Sequence, residues 1–151
     1  MRNLFVGGIL LMGILSTTVL AHVGAVGVVK ERMESMKTIG AAMKQIKAMI
    51  NGRADFVPER VKELAGAIAD HSGTAINRVF PVGSNFEPSQ AKPAIWENWQ
   101  VFADLAVLME RQALQLAADA VTSGAVAKAY QELSKTCKSC HKKFRLKKKR
   151  R

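Results

Sequence analysis

The chain has 151 residues, a formal net charge of +11 and a hydrophobic fraction of 48%. That length suits a single modest domain. Two cysteines and three histidines are too few for a disulfide scaffold or a cysteine-rich metal fold.

The N-terminus reads as an export signal. Met1-Arg2-Asn3 is a short positive region, and Leu4 to Leu20 is an uncharged, mostly apolar run of 17 residues, three of them glycine. A membrane-spanning helix usually needs about 20 apolar residues. Val19-Leu20-Ala21 offers the short side chains a signal peptidase reads, so cleavage is expected after Ala21. Residues 1–21 are then a cleaved signal peptide, 22–146 the folded domain and 147–151 a basic C-terminal tail.

The body of the chain reads as helices. From Val26 to Ile50, Val29, Met33, Met36, Gly40, Met43 and Ile50 recur at three- and four-residue steps or their sums, the amphipathic helical period. Asn51-Gly52 stops that helix. Pro58 is well placed in the first turn of a second helix running to about Val79. His71-Ser72-Gly73 weakens its last third. Phe80 to Pro93 is the longest irregular segment, with Pro81, Pro88 and Pro93 inside it. Ala94 to about Val121 is a third, long helix with Trp96, Trp99, Phe102, Ala106, Met109 and Ala113 on one stripe, closed by Ser123-Gly124. Ala125 to Phe144 is the fourth, with Val126, Tyr130, Leu133, Cys137, Cys140 and Phe144 in register. No alternating strand pattern and no internal repeat is present. Four helices of about 20 residues joined mostly by short loops predict an all-α, antiparallel four-helix bundle.

Cys137-Lys138-Ser139-Cys140-His141 carries the chemistry. It is a C-x-x-C-H box, the attachment pattern for c-type haem. Two thiols at this spacing can add to the two vinyl groups of one haem, and the histidine beside them can ligate the iron. A redox C-x-x-C pair does not require the histidine and normally opens a helix in a βαβ context, which is absent. A zinc site needs about two more Cys or His ligands, and only His22 and His71 remain, far away. The box continues the apolar stripe of the fourth helix, so one haem c per chain is expected in the bundle core. Haem is attached to c-type apoproteins beyond the bacterial inner membrane, so the box and the signal both place the protein in the periplasm.

The last ten residues, Lys142 to Arg151, hold eight Lys or Arg and no acid. An exported haem protein meets no nucleic acid, and no aromatic stacking set accompanies these charges. An anionic membrane surface or an acidic redox partner protein suits them better, beside the bland reading of a solvated terminus.

With these features the chain resembles the cytochromes c′ and their low-spin, methionine-ligated relatives, over the whole span after the signal. The resemblance is carried by Arg32-Met33-Glu34-Ser35-Met36-Lys37, by Lys92-Pro93-Ala94-Ile95-Trp96 and by Cys137 to Arg145. It implies covalent attachment at Cys137 and Cys140 and His141 as the axial iron ligand. It implies that Arg32 lies near the haem propionates, that Met33 packs at the haem edge, that Met36 covers the distal iron face and that Arg145 lies on the proximal side. It also implies frequent homodimers. Met36 is compatible with two iron states. A sulfur bound to iron gives a six-coordinate centre for electron transfer; a sulfur that only packs leaves a site for NO or CO. Neighbouring Met33 makes simple filler the favoured expectation for Met36.

The expected function is electron transfer, small-gas binding, or both, without substrate turnover. The alternatives are a subunit docking on a larger membrane redox complex and a haem-based NO scavenger or sensor.

Overall fold

The computed structural model describes residues 26–147. The expected signal peptide and residues 148–151 of the tail lie outside them. Six helices are present: α1 (Gly27–Ile50), α2 (Pro58–Asp70), α3 (Gly73–Arg78), α4 (Ala94–Glu97), α5 (Trp99–Ala118) and α6 (Ser123–Phe144). α1 packs on α2 and α6, and α5 packs on α2, α3 and α6. The long helices thus close a four-cornered antiparallel bundle, with α3 extending the α2 corner and α4 leading into α5. No described helix is long and apolar enough to cross a membrane.

Local chemistry explains the ends. α1 stops where Gly52 takes φ +67°. There Gly52 N–H donates to Met49 O at 3.2 Å and Arg53 N–H to Ala48 O at 2.8 Å, the paired bonds of a glycine C-cap. Pro58 occupies the first position of α2, where its missing N–H costs nothing. The Thr122 hydroxyl accepts from Ala125 N–H at 3.2 Å and caps α6. Lys142 and Lys143 in the last turn of α6 complement its negative end.

Three expectations need correction. The second predicted helix is two, because Ser72 is extended and Gly73 has φ +54°. A side chain at Gly73 would also meet the Glu110 carboxylate. The third predicted helix is interrupted at Asn98, whose backbone leaves the helical region and whose side-chain amide donates to Ala94 O at 3.2 Å. Ser123-Gly124 opens the fourth long helix instead of closing the third, since the Thr122 cap precedes it.

The core runs through Ile46, Val61, Ile68, Ala113, Leu116, Val126 and Leu133, each fully or almost fully buried. Each large aliphatic removed from water contributes about 1.5–3 kcal/mol. On α1 the buried stripe is Val29, Arg32, Ile39, Ala42, Ile46 and Met49. The expected stripe through Met33 and Gly40 is rotated by about one residue, leaving both exposed. The irregular segment 79–93 is tied to the end of α6 through its last residues. Lys92 N–H donates to Phe144 O at 2.9 Å and Leu146 N–H to Gln90 O at 2.8 Å, pairing the chain beside Ala91 with the chain leaving α6.

Candidate functional site

Residues three and four apart on a helix share a face, and α6 uses this at the box. Cys137, Cys140 and His141 line one cavity between α6, α5, α3 and α1. Cys137 and Cys140 are half-buried, while His141 stays open to solvent on one side. The opposing walls are apolar: Met36 and Ile39 from α1, Ile76 from α3, and Phe102, Ala106 and Met109 from α5. Phe102 is held in place by Phe80 at 4.8 Å and by Phe144, edge-on, at 5.5 Å between ring centroids.

The electrostatics suit neutral donors. Burial pushes the Cys140 thiol up to about 11, with the charge of Cys137 adding to the effect. Burial raises Cys137 as well, partly offset by a backbone hydrogen bond. Burial, followed by the nearby Arg145 charge, lowers His141. The thiols therefore remain protonated near neutral pH, unlike the low-pKa pair of a disulfide oxidoreductase. The neutral imidazole keeps a lone pair for a metal. Two thiols and an imidazole on one face, opening into an apolar slot, fit a covalently tethered haem. Among the described residues no cluster of three or more His, Cys, Asp or Glu could hold a metal without one.

Arg32 is 4% exposed and has no carboxylate within ion-pair distance among the described residues. Its guanidinium donates to the Ser84 hydroxyl at 3.0 Å, to Val79 O at 3.4 Å, and at short range to Ser84 O and the Ser89 hydroxyl. Its face lies 4.7 Å from the Phe80 ring centroid. Arg145 donates twice to Gln90 Oε1, at 2.9 and 2.7 Å, which fixes its charge near His141.

Of the residues expected from the sequence, Cys137, Cys140, His141 and Met36 come together in one cavity. Arg32 lies one turn before Met36, and Arg145 follows the box. Met33 stands apart: it is 46% exposed and does not line the cavity. The filler argument drawn from it therefore does not extend to Met36. Sequence reasoning placed Phe102 and Met109 on a core stripe without assigning them to the site, and it gave Ser84 and Ser89 no partner. The helical period had pointed to the first pair; nothing local pointed to the second.

Comparison with known proteins agrees with this geometry. The sequence profile of the family described as Cytochrome C' matches residues 27–145. Cytochrome c-556 of Agrobacterium fabrum is 37% identical over 125 residues, covering 82% of this chain and 84% of that protein. Cytochrome c' of Rhodospirillum rubrum is 34% identical over 113 residues, covering 73% and 71%. The solved structure of cytochrome c' from Rhodopseudomonas palustris superposes with a TM-score of 0.78 at 31% identity, covering 83% of this chain and all of that one. With the family profile matching residues 27–145 and relatives above 30% identity covering most of the chain, the chain belongs to the cytochrome c′ family, whose members carry covalently attached haem c.

Proposed function

We propose that this protein is a periplasmic electron carrier of the cytochrome c′ family, with haem c held by Cys137 and Cys140 and its iron ligated by His141 and Met36. The observation that carries the reading is the cavity itself: one α6 face presents both thiols and the imidazole, and Met36 stands on the wall formed by α1. When bound, the haem would supply a one-electron iron couple and a site for a small gas. The chain's own residues set the rest. Cys137 and Cys140 tether, and His141 donates its neutral nitrogen. The apolar walls from α1, α3 and α5 exclude water, which favours the less charged iron state. A thioether from Met36 raises the potential further. Arg32 is a buried cation without a carboxylate partner among the described residues, so it suits a haem propionate. Arg145 places a second cation on the histidine side.

Export rests on the N-terminal sequence. Lys138, Lys142, Lys143, Arg145 and Lys147 make no ion pair among the described residues, which suits an acidic redox partner or an anionic membrane surface. Pairing with a second copy would use the outer faces of α1 and α2, where Met33 is exposed.

A second reading is small-gas binding, with Met36 packing over an open iron position. It is favoured by Met109, a second thioether on the same cavity, which shows that methionine serves as lining there. An absorption spectrum of the reduced protein with and without CO decides. Sharp α and β bands unchanged by CO support the carrier; a broad high-spin spectrum that CO converts supports the gas binder.

A further inference from the structure

The chain leaving His141 is strapped to residues 90–92. Lys92 Nζ donates to Lys142 O at 3.3 Å. Backbone bonds run from Lys92 N–H to Phe144 O at 2.9 Å and from Leu146 N–H to Gln90 O at 2.8 Å, with Ala91 and Arg145 opposite each other in this antiparallel pairing. Within it, the Gln90 side-chain oxygen accepts from Arg145 twice, from Nε–H at 2.9 Å and from Nη2–H at 2.7 Å. The strap is anchored from the bundle side as well. The Ser89 hydroxyl accepts from Ala91 N–H at 3.0 Å and from the buried Arg32 guanidinium.

An exposed arginine ordinarily spreads its charge over many rotamers. Arg145 is exposed and makes no ion pair among the described residues, yet its fork is fixed on a neutral amide oxygen. The chemistry of that partner matters. A carboxylate would fix the guanidinium and cancel its charge; the amide fixes it and leaves the charge whole. The field of this cation reaches the iron ligand: after burial, Arg145 is what disfavours the protonated form of His141. In the haem-loaded protein the same field bears on the iron behind that imidazole. A fixed positive charge there favours ferrous over ferric iron, because the reduced centre carries one positive charge fewer. We propose that Gln90 is a positioning residue for the iron couple: acting through Arg145, it holds an uncancelled cation on the His141 side and so raises the reduction potential. The inference rests on the haem reading of the cysteine cavity.

The experiment measures midpoint potentials by spectroelectrochemical titration of the haem-loaded wild type, Gln90→Ala, Arg145→Gln and the double variant. Gln90→Ala should lower the midpoint, and Arg145→Gln should lower it at least as far. The double variant should match Arg145→Gln alone, because without the cation Gln90 has nothing to place. Gln90→Asn keeps the amide but is one methylene too short for the fork, so it should fall with Gln90→Ala and stands in for it if that variant folds poorly. A glutamine that only ties the strap would leave the midpoint where it was while amide exchange at Leu146 quickened, and that result overturns the proposal. So does an equal drop on Gln90→Ala with and without Arg145, which would show that Gln90 acts on its own. A wild-type protein lacking covalent haem or histidine ligation would show in its spectrum before any potential is measured, and would count against the proposed function instead.

Discussion

Arg32 and Ser84 form a buried two-point clasp between α1 and the irregular segment: the guanidinium donates to the Ser84 hydroxyl at 3.0 Å and also to the Ser84 backbone oxygen. Burial works against the Arg32 charge and lowers its pKa, yet no carboxylate among the described residues offsets it. The clasp joins the segment 79–93 to α1, the helix that carries Met36.

Arg32→Ala should therefore loosen the segment as well as the bundle. Ser84 O and the Ser89 hydroxyl would lose a buried donor, at a cost of about 2–3 kcal/mol in denaturant unfolding. Amide exchange should rise from Ser84 to Ala91. Arg32→Lys should not restore the loss, because a single ammonium cannot reach the four acceptors that the guanidinium fork serves. Full rescue by lysine would show that charge alone matters.

Haem should survive denaturation and acid-acetone treatment of the wild-type protein, because two thioethers hold it. Cys137→Ser/Cys140→Ser should release all haem under the same conditions. Haem retained by the double variant would place the attachment elsewhere.

Met36→Leu separates the two iron states. With sulfur on iron, the substitution should convert a low-spin spectrum to high-spin, lower the potential and allow ferrous CO binding absent from the wild type. As a packing change alone it should cost less than about 1.5 kcal/mol and leave the spectrum as it was. Met109→Leu, on the α5 wall of the same cavity, should leave ligation unchanged in either case.

The thiols give a pH prediction. In haem-free protein, alkylation of Cys140 should be slow at neutral pH and climb as pH rises toward about 11, because burial holds its thiolate fraction down. The rate should not level off near neutrality, as it does for a disulfide-exchanging pair. A plateau near neutral pH, read by mass spectrometry, would contradict the burial argument.

Much of this protein was legible along the chain. The C-x-x-C-H box, the four apolar periodicities, Pro58 at a helix start and Gly52 at a helix end are local patterns with local causes. They pointed to the all-helical bundle and to the placement of the box on the inner face of the last helix. Periodicity gives the spacing of apolar residues but does not choose between two adjacent stripes. On α1 the neighbouring α2 and α6 made that choice, burying Arg32 and leaving Met33 in water. The breaks at Gly73 and Asn98 depend on backbone conformations imposed by packing against α5 and by a single side-chain bond, neither of which composition reveals. Ser84 and Ser89 lie 52 and 57 residues from Arg32 in sequence, so only folding brings them to it. Met36, Phe102 and Met109 became one cavity wall for the same reason: each belongs to its own helix by local pattern, and to a common site only because the bundle closes around it.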